Sequence, residues 1–283
     1  MEDENGSYFY DVKTVINYGF DVKKSILRLH VIDKETGEDI EDAQTHLYNA
    51  ALEPLDAKNT DDSGNADYKT DATSSVQYAY AVEKDGYIPV PAYGADYPTV
   101  TTAEGTSTEV TVELERAYTL KGYVDLGQGT DISGAVLSGA SVVFKRADAL
   151  QTAVRTTAER NDAEFEAGLA KGIYTVTVTK PGYVKYIITN YSFNPTGGET
   201  IFAEGKKITP YIGSAKTGTS VSLLDAAAIK AELREGAERL CGDVDDNGRV
   251  DATDMAYVMF NYGKRTVRET YSEFLLSAYP PAP

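Results

Sequence analysis

The stretch GDVDDNGRVDATD, from Gly242 to Asp254, decides how the rest of the chain is read. Counted from Asp243, the first, third and fifth positions are Asp243, Asp245 and Asn247. Gly248 supplies a sharp bend, Arg249 offers a backbone carbonyl, Asp251 follows, and Asp254 closes at the twelfth position. A hard cation takes roughly six to eight oxygen ligands, so carboxylates on alternate residues of one loop can surround it while glycine lets the backbone fold inward. The pattern predicts one strong Ca2+ site, with Asp243, Asp245, Asn247, Arg249 (through its carbonyl), Asp251 and Asp254 as ligands. The last ligand is Asp rather than the longer Glu of an EF-hand, so the following helix must start closer to the ion. No helix is expected before the loop, because Leu240, Cys241 and Gly242 lead straight into it.

A worn copy of this stretch lies 29 residues upstream. Aligning Gly213 with Gly242 puts Ser214, Lys216, Gly218, Ser220, Ser222 and Asp225 at the liganding positions. Only Asp225 is a carboxylate, so the loop from Ser214 to Asp225 is degenerate and is not expected to bind calcium strongly. The Lys216 ammonium is expected to stand in for the ion. Each loop feeds a helix: Ala226, Ile229 and Leu233 repeat at helical spacing after the first, Met255, Val258 and Tyr262 after the second. Val221 and Val250 should point inward, so that both halves share a small core. A unit of about 70 residues buries too little apolar surface to be secure alone, and a bound ion adds stability by mass action. Off the second stripe lie Ala252, Thr253, Met259 and Phe260, most of them apolar. They either pack on the preceding sandwich or the tail Tyr271 to Leu276, or form a partly hydrophobic docking face for another protein.

Upstream, the chain reads as strands. Leu27, Leu29 and Val31 alternate with Arg28, His30 and Ile32, the period of a half-buried strand. Asp33 to Ala43 turns the chain with Gly37 at the bend, and further strands are expected at HLYNA, after TDDSGNADYKT, at Val76 to Val90 and at Ser107 to Glu115. Tyr118 to Val124, Gly139 to Arg146 and the run ending YTVTVTKPGYVKY repeat that order. The best internal match sets YAYAVEKDGY beside YTVTVTKPGY, so that Lys-x-Gly-Tyr recurs 96 residues on. Twenty-one Tyr, eight Phe and no Trp fit a strand-rich protein. The expected fold is multidomain: two tandem all-β sandwiches (Ig-like or prealbumin-like) followed by a small all-α calcium-binding unit with duplicated loop-helix motifs. The expected boundaries are 1–22, a tail or first strand, then sandwiches at 23–116 and 117–208, and the loop-helix unit at 209–283.

Forty-four acids against 27 bases leave a formal charge of −17, which argues against nucleic acid or an anionic membrane as partner. No apolar run is long enough to span a membrane. The opening Met-Glu-Asp-Glu-Asn reads as the cut start of something longer, with no charged-then-apolar leader. Cys241 is the only cysteine, which excludes an internal disulfide, and it is expected as a partly buried small hydrophobe. No nucleophile–base–acid set is visible, His30 and His46 fall in strands, and the lack of Trp weakens any sugar-stacking platform. The chain is therefore expected to be no enzyme and to take no small-molecule substrate. Asp61, Asp62 and Asp67 lack the alternate ligand order and read as a hairpin turn. An intramolecular amide involving Lys24 and Asn49 is a remote option.

Two loop-helix repeats, each preceded by Gly and closed by Asp, resemble a dockerin, the module by which cellulosomal proteins plug into cohesins. A sandwich ending in a glycine loop and ITPYIG (Ile208 to Gly213), then a degenerate loop with SLLD, resembles the X-module–dockerin dyad of type II scaffoldin systems. The resemblance covers about residues 117 to 283, and the sandwich before it resembles the prealbumin-like modules of bacterial surface proteins. It implies an X module packed on the dockerin, and calcium-dependent docking of the parent protein to a type II-like cohesin on a scaffoldin or the bacterial cell surface. It implies cohesin contacts at Ala252, Thr253, Met259, Phe260 and Lys264, and at Leu223, Leu224, Lys230, Ala231 and Glu235. The carboxylate-poor first loop departs from the family, which favours one binding orientation led by the second helix. The alternative is a calcium-stiffened stalk or adhesin fragment, in which Met259 and Phe260 would be buried within the chain.

Overall fold

The computed structural model describes residues 25–70, 75–92, 95–103, 105–127, 139–147, 153–158, 164–216, 218–235 and 241–277. The expected tail at 1–22, and Lys24, lie outside the described residues. Seven strands come first: β1 (Ser25–Asp33), β2 (Gln44–Tyr48), β3 (Pro54–Asn59), β4 (Asn65–Thr70), β5 (Val76–Glu83), β6 (Thr99–Thr102) and β7 (Ser107–Leu114). They form two sheets, ordered β4-β1-β7 and β3-β2-β5-β6. The alternation in β1 places Leu27, Leu29 and Val31 fully inside, where they share one apolar cluster with Leu47, Tyr68 and Val82 from both sheets. Gly37 takes a positive φ at the predicted bend. Asp61 turns the next hairpin by accepting from the Ser63 and Asn65 amides, and Asp67 pairs with Arg28, so these acids serve the turn and strand edge.

The next strands are β8 (Tyr118–Tyr123), β9 (Ala140–Arg146), β10 (Ala153–Ala158), β11 (Glu164–Leu169), β12 (Gly172–Thr179), β13 (Gly182–Tyr183), β14 (Tyr186–Phe193), β15 (Thr200–Ile201) and β16 (Ile212–Ser214). Helices α1 (Leu223–Glu235) and α2 (Ala252–Phe260), strand β17 (Val267–Thr270) and helix α3 (Tyr271–Leu276) follow. The main sheets run β10-β9-β12-β14-β17 and β11-β8-β15, with β13 paired to β16. Gly122 in β8 is dictated by packing, since a Cβ there would lie 2.3 Å from the Phe165 ring.

The joint between the two strand regions is short and ionic. Arg116 Nε reaches back to Asp33 at 2.6 Å, while Glu115 is shared by Lys34 at 2.6 Å and by Arg146 ahead of it. Lys171 adds a bond to Glu35 at 2.5 Å.

The structure is dominated by sheets, and the C-terminal unit departs from the all-α expectation. Its β16 pairs antiparallel with β13 and its β17 pairs in parallel with β14, so both belong to strands of the preceding region. The core is common as well: Val221, Ile229, Val244, Val258 and Phe274 lie in one buried cluster with Leu120, Phe144, Val176 and Ile188. Short helices cannot enclose a core by themselves, and here α1 packs on α2, α2 on β16, and α3 on β14 and β17. Phe274 of α3 packs edge-on against Tyr186, and the Lys206 ammonium binds the carbonyls at the end of α3, where the helix leaves acceptors unpaired. Cys241 is exposed, contrary to expectation, because it stands before Gly242 where the chain enters the acidic loop. Among the described residues, no helix is long and apolar enough to cross a membrane.

Candidate metal centre and docking face

Helix α2 starts where the acidic loop ends, and the two are built from the same residues. Asp251 caps the helix by accepting from the Thr253 amide at 2.7 Å, and Asp254 returns the bond by accepting from the Asp251 amide at 2.8 Å. This reciprocal cap satisfies amides that a helix start leaves without partners. The other oxygen of Asp254 accepts from the Val244 amide at 2.8 Å, drawing the front of the loop over the helix. Asp243 accepts from the amides of Asn247 and Gly248, and Gly248 takes a φ of 84° at the bend.

The loop thereby brings Asp243, Asp245 and Asp254 together, with one oxygen from each inside a span of 4.8 Å. Asp245 and Asp254 are fully buried. Asn247 joins them through its amide nitrogen, which donates to Asp245 at 2.9 Å. Of the other predicted ligands, Asp251 is engaged at the helix cap and Arg249 is exposed. Burial, reinforced by the Asp254 and Asp243 charges, pushes the Asp245 carboxyl up to about 6. Burial also raises Asp254, opposed by the backbone amides it accepts from. Converging carboxylates of one sign in a buried site are costly unless a cation joins them. The donor set is all oxygen on a glycine-bent loop and fits a hard divalent cation of the calcium kind.

The upstream loop has the same frame without the acids. Ser222 caps α1 and Asp225 accepts from the Ser222 amide at 2.8 Å and from the Lys216 amide at 3.2 Å. It is the Lys216 backbone that bonds within the loop. Its side chain is exposed, so the expectation of an ammonium in the ion's place is corrected. The Ser214 hydroxyl takes the inner position instead, donating to the Ser220 carbonyl at 2.9 Å and accepting from the Gly218 amide at 3.1 Å.

The helices lie side by side and point in opposite directions. The Val221 amide, just before α1, bonds to the Lys264 carbonyl, and the Gly263 amide, just after α2, bonds to the Val221 carbonyl. The start of α1 therefore adjoins the end of α2. There four apolar side chains face solvent: Leu223 and Leu224 are 66% and 68% exposed, Met259 and Phe260 66% and 74%. Ala252, Lys230 and Ala231 are also exposed and Thr253 is half-buried, while the side chain of Glu235 is outside the described residues. Lys264 lies over the Tyr211 ring, with its Nζ 4.7 Å from the ring centre. The inward stripes hold at Ile229 and Val258 but fail at Leu233 and Tyr262, which are 48% and 55% exposed. α2 ends at Phe260, so Tyr262 no longer follows helical spacing. Sequence reasoning missed Asn261, which is buried and donates to the Ile212 carbonyl at 3.0 Å, pinning the end of α2 to β16.

No family model matches the sequence, and no curated protein matches it. Among solved structures, the chain is similar to those of two interface mutants of a type II cohesin–X-dockerin complex from Acetivibrio cellulolyticus. Each has 21% identity and a TM-score of 0.41, over 53% of this chain and 97% of that one. It is also similar to the minor pilin GBS52 of Streptococcus agalactiae, at 10% identity and a TM-score of 0.33, over 66% of this chain and 95% of that one.

Proposed function

We propose that the chain is a non-catalytic assembly module, and that its C-terminal unit is a dockerin that binds a protein partner of the cohesin type. In this reading residues 23–116 and 117–208 are sandwich modules, the second X-module-like, and residues 209–283 carry the docking helices. Calcium held by Asp243, Asp245 and Asp254, with Asn247, Arg249 and Asp251 completing its shell, orders the second loop and fixes where α2 begins. The parent protein would then be held outside the cell, on a scaffoldin or at the bacterial cell surface.

The observation that carries the reading is the exposure of Leu223, Leu224, Met259 and Phe260 at one end of a helix pair. Adjacent exposed apolar side chains mark an interaction surface more often than isolated ones do. The stalk alternative requires Met259 and Phe260 to be buried within the chain, and their exposure counts against it. Met259 and Phe260 act as central anchors, and truncation of such anchors typically costs about 2 kcal/mol or more of binding. The test is calorimetry against a panel of cohesins, with calcium and with chelator. Calcium-dependent binding to one of them, abolished by Met259→Asp with Phe260→Asp while calcium uptake persists, is expected. Calcium uptake with no cohesin bound would favour the stalk.

A further inference from the structure

The repeated Lys-x-Gly-Tyr motif performs a task that the docking reading does not use. In its first copy, Lys84 to Tyr87, the turn receives the chain entering the second sandwich. The Ala117 amide bonds to the Gly86 carbonyl at 2.8 Å, Tyr87 bridges to Arg116, and the Tyr87 hydroxyl donates to Asp33. In its second copy, Lys180 to Tyr183, the turn again receives the unit that follows. Gly182 pairs with Ser214, and the Val184 amide bonds to the Tyr211 carbonyl at 2.7 Å.

The second copy also touches the acidic loop directly. Gly182, at a φ of 80°, sits so close that a Cβ would lie 2.2 Å from the Val244 carbonyl oxygen. The two lysines then differ. Lys84 spends its ammonium on a carbonyl of its own module, that of Glu41, at 2.7 Å. Lys180 is buried, with its side chain only 3% exposed, and its Nζ lies 2.9 Å from Asp246 in the acidic loop. A buried ammonium needs a partner, and Asp246 is the carboxylate on which it is spent. Asp246 occupies a position that is not a predicted ligand and has a left-handed backbone with a φ of 62°.

We propose that Lys180 is a positioning residue for the acidic loop: acting through Asp246, it fastens the bend of the loop to the second sandwich and holds Asp243 and Asp245 in register for the cation. This rests on the calcium reading of the loop, but its test does not depend on that reading alone. The sign of one effect separates positioning from simple charge. An ammonium beside a cation site repels the cation, so if Lys180 acted only by its charge, removing it would tighten calcium binding.

The experiment titrates calcium chloride into the full chain and three variants: Lys180→Met, which keeps the buried stem, Asp246→Asn, which keeps the left-handed turn, and the double variant. Lys180→Met is expected to weaken calcium binding about tenfold, in the range of other supports that orient metal ligands. In the Asp246→Asn background the same step should shrink to within about twofold, since groups acting as one unit are not additive. Tighter binding in Lys180→Met, or an undiminished effect in the double variant, would overturn the proposal. Hydrogen exchange without calcium supplies the second readout. The amides of Val244, Asn247 and Gly248 should exchange roughly tenfold faster in Lys180→Met while the β12 amides stay protected. Unchanged exchange would overturn the proposal even if the wild-type chain took up calcium. Faster exchange in a chain that bound no calcium would uphold Lys180 and sink the calcium reading.

Discussion

The two loops share one frame and fill its centre differently. In both, an Asp in the first turn of the helix reaches back to amides of its own loop: Asp225 to Lys216 and Ser222, Asp254 to Val244 and Asp251. In both, the residue opening the loop accepts an amide four residues on: Ser214 from Gly218, Asp243 from Asn247. The difference is what joins that opening residue to the rest. Ser214 carries a proton and donates it to the Ser220 carbonyl, the counterpart of Arg249 at an offset of 29 residues. Asp243 brings a carboxyl group where Ser214 brings a hydroxyl, and it faces Asp245 and Asp254. A hydroxyl can close a ring of oxygen acceptors that otherwise needs a cation. The upstream loop closes on a hydroxyl, and in the proposed reading a cation closes the downstream one.

This contrast is broken most sharply at its acidic centre. Asp245→Ala removes a buried member of the cluster, and a direct ligand should cost more than a supporting group, at least roughly a hundredfold in calcium affinity. Calorimetry should also find one calcium per wild-type chain, and two tight sites would refute the division between the loops. Asp225→Ala should behave in the opposite way. It strands the Ser222 and Lys216 amides and should lower unfolding free energy by about 2–3 kcal/mol. Urea melts should show that loss equally with calcium and with chelator. A loss that calcium repaired would mean the upstream loop also takes an ion.

Much of this was legible because ligand chemistry needs fixed residue types at fixed spacing. The acidic cluster and the degenerate first loop follow from the sequence by counting, whereas the capping role of Asp225, Asp251 and Asp254 appears only in the structure. Strands with a clear period of two, such as β1, were legible for the same reason. β14 was not, because Tyr186, Ile187 and Ile188 are all buried, so the polar side of the pattern disappears. β3 was missed for the reverse reason: every residue from Pro54 to Asn59 except the half-buried Lys58 is exposed, so no buried apolar face marks it. Nor could spacing reveal that β16 and β17 would leave the helical unit to join sheets, since pairing partners lie far away in sequence. Lys180 had a signal, the repeated turn, but only the fold shows what that turn holds.

A buried carboxylate outside both loops sharpens the comparison. Asp33 is as enclosed as Asp245, but it faces a guanidinium. Burial alone would raise its pKa, yet hydrogen bonds from Arg116, Tyr87 and the Thr36 and Glu35 amides outweigh burial and hold it at about 2, below the ordinary 3.8. A carboxyl depressed on folding contributes its stability fully above the unfolded value and loses it as pH falls through the folded one. The window is therefore about pH 4 down to pH 2. The Arg116 side chain is 43% exposed, so solvent screening weakens the pair. Hydrogen exchange in β1 should report that loss between these pH values in the wild type, and Asp33→Asn should remove most of the dependence. An equal slope in both would mean that other carboxyls carry the acid sensitivity of this region.

The smallest expected effect tests the idea that a hydroxyl has replaced an ion. Ser214 is buried, and its Oγ makes both bonds that close the upstream loop. Ser214→Ala leaves the Ser220 carbonyl and the Gly218 amide without that partner, and one hydrogen bond of this kind is worth about 1 kcal/mol net. The helix start should survive, because Asp225 and Ser222 still cap α1. Calcium affinity at the downstream loop should be unchanged, since Ser214 reaches none of its three clustered carboxylates by any bond observed. A loss near 1 kcal/mol in urea, with an unaltered calcium titration, places the hydroxyl in the structural role and leaves the ion to the other loop. If the variant instead lost calcium binding, the two loops would be one coupled unit, held together through the β13–β16 pairing of Gly182 with Ser214 and the seat of Gly182 on Val244.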